Sequence, residues 1–237
     1  MKTLSNLDVL QLWERGTSLH PLDRALLTLA TTLPEQRSDE LADWTLGRRN
    51  SALAAVLHVC FGAKMEGWVA CPRCDERLEF ALDATALEAG YDGDSQTGGT
   101  QIRVRERGFR LPTSRDLARI AGESDPGTAA LRLLQICCVD GGEADGWTAE
   151  ELDEAGDELA KADPMAETRV NLSCAECGEQ WEETLDVGAW LWTEIESQAR
   201  RLVGEVHLLA SAYGWSEAEV LSLSAQRRSL YLEMVQL

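Results

Sequence analysis

The sequence predicts an α+β protein, mainly helical, carrying two β-hairpins that each begin at a CxxC pair. Two observations carry this expectation. Apolar residues recur at steps of three and four over most of the chain, the spacing of one helix face. Two stretches break that period: CPRCDERLEF at 71–80 and CAECGEQWEE at 174–183 each open with paired cysteines and continue into a strand-like run. With 237 residues, 44% of them apolar, the chain can bury one large core or two small ones.

Residues 1–64 form an N-terminal helical region. Ser5 caps a helix with apolar positions Leu7, Val9, Leu10 and Trp13. Pro21 suits the first turn of a second helix, PLDRALLTLA, which closes before Pro34. A short piece at 38–44 ends at Trp44, and Thr45 caps LGRRNSALAAVLHVCFG, with Gly62 as its stop. Residues 65–111 form the first knuckle, with strands at 66–71 and 77–83, a glycine-rich polar connection at 89–100, and a second hairpin, TQIRVRERGFRL, whose turn the sequence places near Gly108. Residues 112–165 form a helical insertion. It holds a short helix from Ser114, a longer one from Pro126, and a helix opened by the capping box Thr148–Glu151. Residues 166–188 form the second knuckle, and 189–237 the C-terminal helices. The longest helix spans 189–213, with Ile195, Ala199, Leu202, Val206 and Leu209 on one face. Gly214 stops it, Ser216 and Glu219 form another capping box, and Trp215 is placed to staple it.

The cysteines give the sharpest chemistry. Zinc in a structural site takes four ligands in a tetrahedron, and thiolates suit it. One CxxC turn supplies half of such a site. Cys71, Cys74, Cys174 and Cys177 are therefore expected to bind one structural Zn²⁺ per chain, making the two hairpins a split zinc-ribbon-like unit although their first cysteines lie 103 residues apart. Gly178 permits the backbone conformation a tight knuckle needs. A redox pair would sit where a strand meets a helix start, whereas both pairs here lie between strands. A catalytic zinc keeps a position open for water, and four thiolates leave none.

The remaining candidates read as structural. Cys137 and Cys138 are adjacent on a helix, and Cys60 sits between Val59 and Phe61; all three are expected in packing. His20, His58 and His207 read as loop or packing residues. Trp190 and Trp192 follow the second knuckle, one expected to face the helical core and the other the hairpins or a partner. No phosphate-binding loop, HExxH, GxSxG or dinucleotide fingerprint occurs, so no enzyme activity is expected. The balance of 41 acidic against 22 basic residues, −19 net, repels nucleic acid and anionic membranes. No apolar run spans a bilayer and no signal peptide is visible, which leads to a cytoplasmic expectation. Two local features run the other way. Arg103, Arg105, Arg107 and Arg110 form a basic hairpin, the first three expected on one face. Residues 139–160 hold nine acidic groups and no basic one, a solvated face or a site for a basic partner.

FRLPTSRDL at 109–117, ALRLLQICC at 130–138, ADPMAE at 162–167, LSCAECGEQW at 172–181 and the tail from Val203 to Val235 together resemble the T4-like baseplate hub assembly chaperone family of contractile phage tails and related injection systems. The resemblance covers about residues 35–235. It implies a non-enzymatic assembly factor whose partner is a baseplate hub or tape-measure protein. It also marks Trp215, Arg227, Arg228 and Tyr231 as positions of the family pattern. The alternative is a nucleic-acid-binding or regulatory zinc protein, resting on the CxxC pairs and the arginine hairpin.

Overall fold

Amides at a helix start have no partner within the helix, and side chains placed to accept from them decide where these helices begin. The computed structural model describes residues 1–88, 101–140 and 147–235. The glycine-rich connection at 89–100, and Glu143 and Asp145 of the acidic run, lie outside them. Ser5 caps α1 (Asn6–Gly16) in a reciprocal box with Asp8. The His20 ring caps α2 (Pro21–Thr32), so this loop histidine has a local task. After α3 (Ser38–Ala42), Thr45 caps α4 (Leu46–Phe61), which Gly62 ends at φ 101°. Strands β1 (Lys64–Ala70) and β2 (Arg77–Asp83) pair antiparallel from Lys64↔Asp83 to Ala70↔Arg77. β1 starts two residues earlier than the alternation suggested and stops before Cys71, where the knuckle begins.

A second antiparallel hairpin follows, β3 (Gln101–Val104) and β4 (Arg107–Arg110). Its turn is at Arg105–Glu106, with Arg105 at φ 54° and Gly108 two residues beyond it. Gly108 lies inside β4 for another reason: a Cβ there would stand 2.9 Å from Val139 Cγ2. Helices α5 (Ser114–Ile120), α6 (Pro126–Cys137) and α7 (Ala149–Ala162) complete this part. Val104, Phe109, Leu111, Leu134, Cys137, Ala155 and Leu159 form a small core of their own, so β3–β4 packs with the helical insertion rather than with the first knuckle.

The arginine hairpin is not the single face that alternation suggested. The turn at Arg105 interrupts the period, and the cross-strand pairs Arg103↔Gly108 and Val104↔Arg107 put Arg103 and Arg107 on opposite sides. Arg105 reaches Glu151 at 3.2 Å and Glu154 at 2.8 Å, with Glu150 at 4.0 Å. Arg107 stacks over Trp147 at 4.3 Å. Arg110 forms a two-pronged pair with buried Asp116 at 2.5 and 2.8 Å. Burial pushes the Asp116 carboxyl up, but Arg110 and Thr113 outweigh it and hold it below its ordinary value. Arg105 thus meets part of the acidic run, while Arg107 and Arg110 find other partners within the same part of the chain.

Strands β5 (Thr168–Ser173) and β6 (Gln180–Leu185) pair as the third two-stranded sheet. Helix α8 (Val187–Tyr213) starts two residues before the expected Ala189, because Asp186 accepts from the Ala189 amide. Its Leu191, Trp192, Ile195, Ala199 and Leu202 enter the main core with Leu12, Leu29, Leu53 and Val56. Gly16 lets the Trp192 ring lie against α1, since a Cβ there would stand 2.2 Å from it. Leu209 is buried further along, while Val206 of the same expected face is half-buried. Gly214, at φ 71°, ends the helix. Helices α9 (Glu217–Ser222) and α10 (Ala225–Val235) fold back on it. Trp215 stacks on Tyr213 at 4.7 Å and meets Tyr231 edge-on at 4.9 Å. Arg228 is buried and pairs with Glu205 at 2.7 Å, whereas Arg227 is exposed.

The start of α4 joins the two cores. The Leu46 amide donates to the Pro112 carbonyl at 3.1 Å, and Thr45 bridges to Thr113. The Gly47 amide donates to the Asp163 carboxylate at 2.9 Å, and Asn50 Nδ2 donates to the Met165 and Ala166 carbonyls at 2.9 and 3.0 Å. Arg115 pairs with Asp43. Burial pushes the Asp163 carboxyl up, against the opposing pull of the Gly47 amide, the Thr45 hydroxyl and Arg49.

Candidate metal centre

Each knuckle is a six-residue turn closed by the same two backbone bonds. In the first, the Cys71 amide donates to the Glu76 carbonyl at 2.9 Å and the Asp75 amide to the Cys71 carbonyl at 2.9 Å. In the second, the Cys174 amide donates to Glu179 at 2.8 Å and the Gly178 amide to Cys174 at 3.0 Å. The residue after the second cysteine is left-handed in both, Asp75 at φ 61° and Gly178 at φ 72°. Asp75 escaped the sequence reading, although its position opposite Gly178 in the two aligned stretches is the signal that finds it. Aspartate tolerates this region better than most residues, but glycine enters it without a Cβ contact.

The structure brings together all four residues nominated from the sequence. The sulfurs of Cys71, Cys74, Cys174 and Cys177 lie within 4.8 Å of one another. They cross-pair: Cys71 Sγ is 3.6 Å from Cys177 Sγ, and Cys74 Sγ is 3.6 Å from Cys174 Sγ. A tetrahedron with metal–sulfur bonds of ~2.3 Å has edges of about 3.8 Å, so the cluster has the size of a four-thiolate site. Arg73 adds a bridge from one knuckle to Glu179 of the other at 3.5 Å.

The coupled thiols shift in opposite directions. Burial pushes the Cys71 thiol up, but the Arg73 and Cys74 amides and the Cys177 and Cys74 thiols bring it down to about 7. The Glu76 amide draws Cys74 down, yet the Cys177 thiol, burial, Cys71 and Cys174 push it up to about 12. Cys177 is also raised: the Glu179 amide opposes the rise, while burial and the Cys71 and Cys174 thiols drive it. Cys71 is thus the readier to ionise, while Cys74 and Cys177 resist it. A dication removes the repulsion between thiolates and lets all four form, so the donor set fits Zn²⁺.

Helix α8 supports the first hairpin. Trp192 is in the main core, while Trp190 lies against the first hairpin, 6.0 Å from Phe80 between ring centroids. Gly67 makes room for it, since a Cβ there would stand 2.7 Å from the indole. The other thiols and imidazoles stand elsewhere. Cys137 is buried in the second core, and burial pushes its thiol up to about 11. Cys138 packs against that core, and Cys60 accepts from the Leu4 amide at 3.4 Å. His58 contacts Glu88 at 2.7 Å, and His207 is exposed. No described helix is long and apolar enough to cross a membrane.

The knuckle geometry makes a test. Gly178→Ala is expected to cost about 1 kcal/mol, because the new Cβ must occupy the left-handed region. Asp75→Gly should leave stability equal or slightly higher. Thermal melts at saturating zinc check both, and an unshifted Gly178→Ala melt would overturn the account of this turn.

Together, fold and site define an α+β chain whose two separated CxxC hairpins meet at a candidate four-cysteine metal centre. No protein family, no curated protein and no solved structure matches it.

Proposed function

We propose that this chain is a non-enzymatic assembly chaperone, or a baseplate-associated protein, of a contractile phage tail or related injection system. It acts in the cytoplasm on a baseplate hub or tape-measure protein. The observation that carries this reading is the closed four-thiolate centre. It joins segments 103 residues apart, and its donors take every position of a tetrahedron. When bound, Zn²⁺ supplies a cross-link and no open position for a substrate. The chain's own residues then hold a shape: the knuckle amides orient the sulfurs, Trp190 backs the first hairpin, and Gly47, Asn50 and Asp163 fasten the second core.

The stretches that resemble the family support the same reading by what they do. LPTSRD and ADPMAE clasp the start of α4. The tail buries Arg228 against Glu205 and sets Trp215 stacked on Tyr213 and edge-on to Tyr231. Leu230 and Met234 of α10 remain 51% and 60% exposed, available to a partner. The nucleic-acid alternative loses ground, because Arg105, Arg107 and Arg110 are engaged inside the protein. The test is affinity purification of the tagged chain from its native cells. A hub or tape-measure protein is expected in the eluate. Intact particle assembly after clean deletion of the gene would overturn the proposal.

A further inference from the structure

Near their starts, helices α2, α4 and α8 enclose a cavity of about 330 Å³ that none of the four cysteines lines. Its apolar wall is Ala25, Leu53 and the Trp192 ring, all buried. Its polar wall carries two half-buried arginines, Arg24 and Arg49. Arg24 lies over the Trp192 ring at 4.8 Å. It donates from Nε to the Gly16 carbonyl at 3.0 Å and from Nη2 to the Thr17 carbonyl at 2.7 Å. Arg49 donates from Nε and Nη2 to Asn50 Oδ1 at 3.1 and 2.9 Å, and from Nη1 to Ser114 Oγ at 3.3 Å. All of these acceptors are neutral, and among the described residues neither guanidinium forms an ion pair. A guanidinium has five N–H donors. Arg24 therefore keeps its whole Nη1 group free of protein acceptors, and Arg49 keeps one N–H on each Nη.

A cation inside a protein needs a counter-charge, and Arg49 has one only at a distance. Burial pushes its guanidinium below the ordinary value, while Asp186 and Asp163 oppose the shift without pairing with it. The two carboxylates on the cavity wall have partners of their own. Asp186 caps α8 by accepting from the Ala189 amide at 2.9 Å, and Glu196 pairs with Arg200 at 2.7 Å. The starts of α2 and α8 are capped by His20 and Asp186, so the free donors here belong to side chains and not to helix ends. A carboxylate is planar and matches the fork of a guanidinium, and the apolar wall suits a hydrocarbon body. Asp186 and Glu196 repel a second negative charge, which sets phosphate behind a monoanion. We infer that this cavity binds a monocarboxylate with a small apolar body, its carboxylate held by Arg24 and Arg49. The inference goes beyond the assembly-factor reading and rests neither on it nor on the metal centre.

The test titrates benzoate into the full zinc-loaded chain, with benzamide as the uncharged analogue and inorganic phosphate as the competing anion. Benzoate should shift the Trp192 indole N–H and the Gly188 and Thr193 amides in NMR spectra, and benzamide should leave them in place. Arg49→Gln should weaken benzoate about tenfold or more, the effect of losing a charged hydrogen bond. Arg24→Gln supplies a second variant with the same expectation should Arg49→Gln misfold. Arg201→Gln removes the same charge from an exposed position of α8 outside the cavity and should leave the affinity unchanged. An acetylated dipeptide ending in leucine, compared with its C-terminal amide, separates the two sources of the carboxylate. Binding of the free-ended dipeptide as tightly as benzoate assigns the site to a protein chain end, and benzoate binding alone assigns it to a free organic acid; either result supports the site. Equal binding of benzamide, tighter binding of phosphate, shifts that map elsewhere, no binding of either carboxylate, or unchanged affinity in both folded arginine variants would each overturn the inference.

Discussion

Cys174→Ser should yield a chain with far less zinc than the about one ion per chain expected of the wild type. A serine hydroxyl is hardly ionised at neutral pH and replaces a thiolate poorly. The loss removes the partner 3.6 Å from Cys74 and leaves three thiols to share a cluster built for four. Structural zinc contributes on the order of 10 kcal/mol in small zinc domains, against a whole-domain stability of ~5–15 kcal/mol. The effect here is regional. The main core around Leu12, Leu29, Leu53 and Ile195 does not include the four cysteines, so most helicity should survive. An isolated two-stranded hairpin is marginal in water. The second hairpin would retain only its base at Thr168 and Leu185, whereas the first also keeps Trp190. Amide exchange should therefore accelerate most in residues 168–185, less in 64–83, and least in α1, α2 and α4. Partner binding should fall with the loss of shape. Unchanged melting, full hairpin protection and normal partner binding would show that the metal is dispensable.

Gly47→Ala should be the most damaging small substitution at the joint. A Cβ at Gly47 would stand 1.8 Å from Asp163 Oδ1 and 2.7 Å from Asp163 Cγ. The carboxylate cannot retreat without losing the Gly47 amide that it accepts from at 2.9 Å. Its burial already raises the cost of ionisation, so a displaced Asp163 is a buried acceptor with a lost donor. A charged hydrogen bond contributes ~1.5–3 kcal/mol and overpacking costs ~1–3 kcal/mol. We expect a total near ~3 kcal/mol, or roughly 6–12 °C in melting temperature for a chain of this size. The second core should loosen first, seen as faster exchange in β3, β4 and α7. Gly156→Ala is the internal control. It lies within α7 with open space around its Cα, and should stabilise by ~0.5–1 kcal/mol. Equal effects of the two substitutions would refute the joint.

Much of the architecture was legible because its causes are local. Ser5, Thr45, Thr148 and Ser216 act on amides three residues away, and a reader of sequence sees both partners at once. The CxxC units were equally plain, since each turn is six residues long and needs nothing distant to form. That the two halves meet followed from metal chemistry, which demands four donors where each turn has two. Trp190 and Trp192 divided between hairpin and core as their adjacency on one helix requires.

The misreadings with the largest consequences involve partners far apart in the chain. The arginine hairpin and the acidic run read as two separate features, each a solvated face or a site for an external partner. Folding placed Arg105 among Glu150, Glu151 and Glu154, some 45–49 residues away, so the two features meet at that residue. Gly108 resembled a turn glycine until Val139 was found beside it, and Gly47 resembled nothing at all until Asp163 filled the place of its missing side chain. Periodicity and capping act within a few residues, so a linear pattern records them. Close approach and charge pairing act between surfaces, and which surfaces meet is decided by how helices and hairpins pack as whole bodies, a distance that no local pattern encodes.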